Sequence, residues 1–211
     1  METQNYRTRV VIRTVNKHML DIREATKEHH RQAEQQQFVK TLMSGEIHPR
    51  LYATFLYNLS HCYAALEKWS QYQGLLDSLP GIARAAKLAH DCQDLWVRIS
   101  PQPEITDSTK KYIEHIDSIR REPAKLFAHV YVRYLGDLYG GQMIKTKTPG
   151  VNTYLEFDNA KELIQTIRET INSYIKTDAD DVIAEAKICF EYATELFKEM
   201  HDLEKTYTVQ R

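Results

Sequence analysis

The stretch PRLYATFLYNLSHCYAALEKW, residues 49–69, decides the fold. Its apolar side chains recur at steps of three and four, the spacing that places side chains on one face of an α-helix. Pro49 suits the first turn, where the N–H that proline lacks has no helical partner. The stripe is more typical of core packing than of a cofactor site, and it consists of Tyr52, Phe55, Leu59, Cys62, Leu66 and Trp69.

Helix-breaking residues are scarce in the rest of the chain, with seven Gly and six Pro in 211 residues. We predict an all-α fold, a single-domain multi-helix bundle of about seven helices. Residues 16–206 form the domain. Residues 1–15 form an N-terminal extension, in which the β-branched run at 7–15 is an extended tail or a short strand. Residues 207–211 form a short polar tail. Besides the helix after Pro49, the predicted helices are 19–34, a short one from Phe38 to Gly45, 82–98, 107–121, 124–145, 159–176 and 178–206, the last with Asp178 as N-cap.

Charge argues against a nucleic-acid partner, because 28 basic and 29 acidic side chains leave a formal charge of -1. The distribution is uneven. Residues 1–31 carry seven basic and four acidic side chains, whereas residues 176–211 carry five basic and nine acidic ones. The N-terminal part could therefore face an anionic ligand or protein, although a solvated helix face is the simpler interpretation.

The three cysteines, Cys62, Cys92 and Cys189, lie far apart without CxxC spacing. Neither a disulfide framework nor a zinc-cysteine site is indicated, which favours a reducing compartment. The N-terminus lacks the apolar core of a secretion signal, and no window approaches a membrane span. We therefore expect a protein without a membrane anchor.

Three glycines, Gly136, Gly140 and Gly141, interrupt an otherwise helical segment. Each costs about 1 kcal/mol relative to alanine inside a helix, so something should offset that loss. One explanation is a flat ligand close to the backbone, because positions 136 and 140 share a face. The other is a tight helix–helix contact or a Gly-Gly helix end, and spacing alone leaves both open.

Asp137 adjoins this glycine face and is the only carboxylate between Glu122 and Glu156. Among apolar neighbours a carboxylate must be paired, hydrated or shifted in pKa. It could pair with Arg133 one turn earlier, hold ordered water at a reaction centre, or do both.

A second group of polar residues lies in IREATKEHHRQAE, residues 22–34. An imidazole can bind iron through one nitrogen while the other donates to an acceptor, and Glu34 lies at i+4 from His30 for that purpose. His29 points elsewhere. The chain has nine histidines, so residue types alone do not single out His30.

Two of these segments resemble motifs of the heme oxygenase family. REATKEHHRQAE (residues 23–34) resembles the family's proximal-helix motif, and HVYVRYLGDLYGGQM (residues 129–143) its glycine-bearing distal-helix motif. Weaker similarity, at residues 62–67 and 185–197 among others, extends the resemblance over residues 18–205.

The resemblance implies a role for each matching residue. His30 matches the proximal iron ligand, and Glu34 the acidic residue that interacts with it. Asp137 matches the aspartate that organises distal water, with Tyr63 and Arg133 in the same distal network. The positions that match the rest of the heme site are the face glycines Gly136, Gly140 and Gly141, the propionate neighbours Arg23, Lys27, Tyr131 and Arg168, and the pocket aromatics Phe190 and Phe197.

The resemblance also implies an activity. Heme b, as both cofactor and substrate, is opened with O2 to biliverdin, releasing CO and ferrous iron. Electrons come from ferredoxin or another soluble reductant, since nothing here resembles a flavin or iron–sulfur motif. A bilin reductase is a possible downstream partner. We expect a soluble monomer of the cytoplasm, a plastid stroma or a virus-infected host cytoplasm.

Two positions depart from the family pattern. Ile164 stands where a lysine is common, so Lys161 or another base must replace that propionate contact. Tyr139 stands where a small serine is common, and it could crowd the pocket or point into the bundle. The alternatives are therefore a non-catalytic heme carrier or sensor, a relative with the same bundle and other chemistry, and a plain helical interaction module. A di-iron bundle is disfavoured because the sequence has no Glu-x-x-His.

Overall fold

A computed structural model describes residues 21–96 and 103–208. The N-terminal extension, its β-branched run and residues 209–211 of the tail lie outside the described residues. Within the described part, all regular secondary structure is helical, which confirms the all-α prediction. The helices are α1 (Ile22–Glu34), α2 (Gln37–Ser44), α3 (Pro49–Tyr72), α4 (Ala85–Trp96), α5 (Asp107–Ser118), α6 (Pro123–Gly136), α7 (Gln142–Ile144) and α8 (Ala160–Thr208).

The helix ends show local sequence signals at work. The Asp21 carboxylate caps α1 by accepting a 3.0 Å hydrogen bond from the Arg23 N–H. Gly45 ends α2 with φ +82°, a left-handed conformation that glycine adopts without steric cost. Pro49 stands in the first turn of α3. The predicted ends of α2 and start of α3 are therefore confirmed.

The α3 stripe forms the centre of the core. Tyr52, Phe55, Leu59, Cys62 and Leu66 are all buried, and Trp69 packs at the edge, so the core interpretation is confirmed. Helix α3 packs on α4 and α5, while α6 packs along α8. The three cysteines are buried and free.

The predicted break at Asp178 is confirmed. The segments 159–176 and 178–206 are two helices that meet at a kink within α8, where Asp178 leaves helical geometry (φ −133°, ψ 39°). One boundary differs from the predictions. The predicted helix 124–145 is divided by a π-helical turn, Asp137–Gly141, that widens the helix where the glycines cluster. No described helix is both long and apolar enough to cross a membrane.

Candidate active site

The candidate site lies between α1 and α6. Both helices pack against α8, but they make little direct contact with each other. Helix α1 supplies His30, and α6 with its π-helical turn supplies the glycines and Asp137. The two segments with unexplained polar and glycine residues are thus brought to one region of the bundle.

His30 is half exposed, with 54% of its side chain accessible. Its Nδ1 lies 3.3 Å from Glu34 Oε2, the i+4 contact expected from the sequence. The Phe190 ring packs edge-on against the imidazole, with 5.4 Å between ring centroids, and so limits its rotation. The Nε2 atom of His30 has no protein partner among the described residues, so this atom is free to bind a metal.

His29 is placed differently from its neighbour. Its Nε2 lies 3.5 Å from Glu191 Oε1, and its Nδ1 is buried without a hydrogen-bond partner among the described residues. Helical geometry turns consecutive side chains by about 100°. His29 is therefore held against α8, and His30 alone of the pair offers an open nitrogen.

Gly136 and Gly140 are exposed and face open space. A Cβ built at either position would have no described atom within 4 Å. A tight helix–helix contact among the described residues therefore does not explain them, whereas room for a ligand does.

Gly141 serves a different purpose from the other two glycines. It is buried, and a Cβ there would lie 2.5 Å from Cδ2 of Leu155. Leu155 therefore requires the small size of Gly141, and the expectation that Gly141 also faces the ligand stays a prediction. The sequence could not reveal this requirement, because Leu155 is brought close only by tertiary packing.

Matched alanine substitutions should separate these two kinds of glycine. We expect Gly141→Ala to lower the free energy of unfolding by about 1–3 kcal/mol, because the new methyl group overpacks Leu155. Gly136→Ala should leave stability unchanged or raise it by up to about 1 kcal/mol, because alanine favours the helix. Chemical denaturation measures both, and equal destabilisation would contradict the assignment.

Asp137 lies at the start of the π-helical turn, and its Oδ2 accepts a 2.6 Å hydrogen bond from the Tyr63 hydroxyl. Burial raises the pKa of the Asp137 carboxyl to about 7, although the Tyr63 hydrogen bond and the Arg133 charge act to lower it. Burial also keeps the pKa of Tyr63 well above its usual value, so its hydroxyl remains a donor. Asp137 can therefore exchange a proton near neutral pH.

The Arg133 charge acts to lower the pKa of Asp137, but the two side chains form no direct ion pair among the described residues. Arg133 Nε instead donates a 2.8 Å hydrogen bond to the Tyr112 hydroxyl. Its guanidinium stacks 4.0 Å from the Tyr112 ring centroid and 5.7 Å from that of Tyr63. Arg133 thus supports the tyrosine that holds Asp137.

A buried network beneath Asp137 was missed in the sequence. The Tyr134 hydroxyl donates a 2.9 Å hydrogen bond to Glu67 Oε1, which also accepts from the backbone N–H groups of Arg84 and Ala85. Glu67, a carboxylate next to Leu66 of the apolar stripe of α3, was the one available signal. Its partners come from distant segments, so the sequence could not identify them.

Two of the basic residues expected near an anionic group, Arg23 and Arg168, lie near Tyr131. Burial raises the pKa of the Tyr131 hydroxyl, Asp21 adds to this, and the nearby Arg168 and Arg23 charges act to lower it. Arg23 and Arg168 are exposed. Lys27 is also exposed, but its ammonium lies 3.3 Å from Glu24 Oε1.

The two departures from the family pattern have clear positions. Tyr139 is 48% exposed, and the Arg168 guanidinium lies 5.6 Å from its ring centroid. It therefore neither points into the bundle nor fills the core. Ile164 packs against the core, while Lys161 is exposed one turn earlier on α8.

Phe190 and Phe197 share one side of α8 but have different neighbours. Phe190 contacts His30, as described above. Phe197 packs with Phe38 and Phe55, at centroid distances of 6.0 and 6.1 Å. The structure thus places Phe190 at the candidate metal ligand and Phe197 among core aromatics.

The fold and site define a helical-bundle protein in which α8 packs against both a helix with an open imidazole and a helix with exposed glycines. A sequence model of the heme oxygenase family matches residues 17–199, and the chain belongs to this family. The heme oxygenase of Guillardia theta is 32% identical over 205 residues, which cover 86% of this chain and 85% of that protein.

Solved structures give the same result. Heme oxygenase-1 of the cyanobacterium Synechocystis, in complex with heme, matches with a TM-score of 0.76 and 26% identity, over 90% of this chain and 95% of that one. Heme oxygenase-2 of Synechocystis, in complex with heme and NO, matches with a TM-score of 0.74 and 26% identity, over 88% and 86%. The predicted heme oxygenase type of bundle is therefore confirmed.

Proposed function

We propose that this protein is a heme oxygenase that opens heme to biliverdin, with release of CO and ferrous iron. The observation that carries the proposal has two parts. Nε2 of His30 is open while Glu34 contacts Nδ1 of the same ring, and Gly136 and Gly140 both face open space. Family membership and the heme-bound structural relatives support it. Heme is the substrate, and its iron supplies the activation of O2.

His30 would hold the iron of the substrate through Nε2. Glu34 Oε2 lies 3.3 Å from Nδ1 and would stabilise a proton there, which would leave Nε2 as the ligand atom. A neutral imidazole donates less electron density than a thiolate would, and so promotes O–O cleavage only weakly. This property favours attack on the porphyrin ring.

Asp137 would hold and deliver the proton that the reaction requires. Its pKa of about 7 lets the carboxyl act as an acid at neutral pH. We propose that the proton moves through water, because an acid in direct contact would promote O–O cleavage. Tyr63 fixes the carboxyl through Oδ2 and leaves Oδ1 without a hydrogen bond from any described residue.

Arg23, Lys27 and Arg168, with Tyr131, would bind the propionates of heme and set its rotation. Rotation determines which meso carbon lies beside the glycine backbone, and therefore which bridge is cut. Because Ile164 is apolar, we propose that Lys161 replaces the missing basic contact. We propose Phe190 as the pocket aromatic beside His30, and Phe197 as a second pocket aromatic, which packs with Phe38 and Phe55.

The test is turnover with hemin, O2 and a chemical reductant. We expect the Soret band to decay into a bilin spectrum, together with one CO per heme. Stoichiometric hemin binding without decay of the Soret band would contradict the oxygenase activity and support a heme carrier or sensor. Failure to bind hemin would contradict both the oxygenase and the carrier or sensor.

We further propose ferredoxin or another soluble reductant as the electron donor, a bilin reductase as the consumer of the product, and a soluble monomer as the working form. Over residues 21–31 the three acidic and three basic side chains balance, and Lys27 and Arg31 pair with neighbouring glutamates. The basic excess of the N-terminal part therefore lies in residues 1–20, outside the described residues.

A salt titration tests the charge contribution to donor docking. If residues 1–20 attract an acidic ferredoxin, turnover with ferredoxin should fall steeply as ionic strength rises. Removal of residues 1–15 should flatten that dependence. Turnover with a small uncharged reductant serves as the control, and a salt dependence unchanged by the truncation would contradict the proposed docking.

A further inference from the structure

Three side chains from three helices meet outside the candidate active site. They are His115 on α5, His129 on α6 and Glu185 on α8. His129 Nε2 lies 2.9 Å from Glu185 Oε1, and His115 Nε2 contacts the same oxygen. One ligand atom from each residue lies within 4.8 Å of the other two, which is close enough for all three to share one ion.

The cluster carries a buried negative charge. Glu185 is buried, yet hydrogen bonds from His115 and His129 overcome the effect of burial and lower its pKa to about 2. Burial lowers the pKa of His129 to about 4, so this imidazole is neutral at pH 7. No lysine or arginine of the described residues lies within 4.0 Å of the Glu185 carboxylate.

His129 adds an unsatisfied polar group. Its side chain is fully buried, and its Nδ1 has no hydrogen-bond partner among the described residues. A buried polar group without a partner costs free energy, as does a buried charge without a full counter-charge. The packing of the bundle nevertheless keeps the Glu185 carboxylate and the unpartnered His129 ring buried in the same cluster.

We propose that His115, His129 and Glu185 form a site for a divalent transition-metal cation of the Zn2+ and Fe2+ class. Neutral imidazoles and a carboxylate are the donor set that such borderline cations prefer. Three protein ligands leave a position for water. His115, with 19% of its side chain exposed, provides the approach from solvent.

Aromatic neighbours fix the orientation of the two imidazoles. The Tyr112 ring lies 5.4 Å from that of His129, and the Tyr192 ring 5.5 Å from that of His115, measured between centroids. Rings held in this way lose little entropy when a metal binds.

The site is separate from the candidate heme cleft. His129 precedes Asp137 by eight residues on α6, a distance of about 12 Å at the rise of an α-helix. A metal there would join α5, α6 and α8 without touching His30. The proposal therefore does not depend on the proposed function.

The test is a titration of Zn2+ alone against tag-free, heme-free protein previously stripped of metal, monitored by competition with a colorimetric chelator. We expect one Zn2+ per chain in the wild-type protein and at least ten-fold weaker binding in His115→Gln. Zn2+ should also raise the melting temperature of the wild-type protein but not of this variant. Equal binding by both proteins would overturn the proposal.

Two further variants locate the metal. His201→Gln removes a comparable histidine that lies 3.1 Å from Glu204 on α8, and it should bind Zn2+ like the wild-type protein. His30→Ala should do the same, and loss of Zn2+ in His30→Ala would place the metal at the heme cleft and overturn the proposal.

Far-UV circular dichroism of His115→Gln reports whether the variant folds. If the variant does not fold, anomalous scattering at the zinc edge from wild-type crystals decides the question. A peak between His115 and Glu185 supports the site, and its absence there overturns it.

Discussion

His30→Ala should abolish the histidine-ligated absorption spectrum of the hemin complex and reduce turnover to the background of free hemin. The reason is that Nε2 of the half-exposed His30 on α1 is the open imidazole nitrogen, while Nδ1 lies 3.3 Å from Glu34 Oε2. Alanine removes the ligand but leaves the helix intact, because position 30 is exposed. Optical spectra of the ferric complex and single-turnover bilin yield are the measurements.

His29→Ala is the matched control, since it removes an imidazole from the adjacent position. His29 contacts Glu191 on α8 and supplies no nitrogen to the cleft. We expect its hemin complex to keep the histidine-ligated spectrum and most of its turnover. The reverse pattern, with His29→Ala losing the spectrum, would move the ligand by one residue.

Added imidazole gives a further check on His30→Ala. A small imidazole can occupy the space left by the side chain, so it should restore the ligated spectrum in part. Glu34→Gln should retain the spectrum but weaken hemin binding, because supporting partners of a metal-ligating histidine are typically worth about 10–100-fold in affinity.

The sequence predicted the helical elements well where local rules apply. Gly45 and Pro49 lie at the predicted helix boundaries, and the α3 stripe is core, because capping and periodicity are local properties. The break of α8 at Asp178 was also predicted, because an aspartate followed by further acidic residues favours the start of a new helix.

The candidate site was predictable only in part. The pairing of His30 with Glu34 follows from helical spacing alone, and the structure shows it. The partner of Asp137 does not follow from helical spacing. Arg133, four residues earlier, was the natural choice, yet the hydrogen bond comes from Tyr63, 74 residues away. The different surroundings of Gly140 and Gly141 likewise depend on Leu155, which no sequence pattern connects to them.

Asp137→Asn should lower the rate of heme opening by about 10²–10⁴-fold while leaving hemin binding intact, because the amide cannot release the proton that the carboxyl supplies. In the wild-type protein the rate should fall as pH rises above about 7, where burial places the pKa of Asp137. The pH–rate profile of single-turnover bilin formation measures this. A profile of the variant that shows the same decline would assign the decline to another group.

The same pKa has a consequence for stability. Because burial raises the pKa of Asp137 from 3.8 to about 7, the folded state binds the proton more tightly than the unfolded chain. The free energy of unfolding contributed by this group therefore falls as pH rises from about 4 to about 7, and levels off above. Asp137→Asn cannot ionise, so the difference in stability between variant and wild type should shift in favour of the variant over that interval.

Tyr63→Phe separates the proton role of Asp137 from a purely structural one. The Tyr63 hydroxyl donates a 2.6 Å hydrogen bond to Oδ2 and thereby acts to lower the pKa of the carboxyl. Phenylalanine keeps the ring against Tyr134 but removes that donor, so the pKa of Asp137 should rise. The decline in rate should then begin at higher pH than in the wild-type protein. If Asp137 were purely structural, Tyr63→Phe would lower the rate by the same factor at every pH. A pH–rate profile of Tyr63→Phe that declines at the same pH as the wild-type profile would contradict the proposed proton transfer.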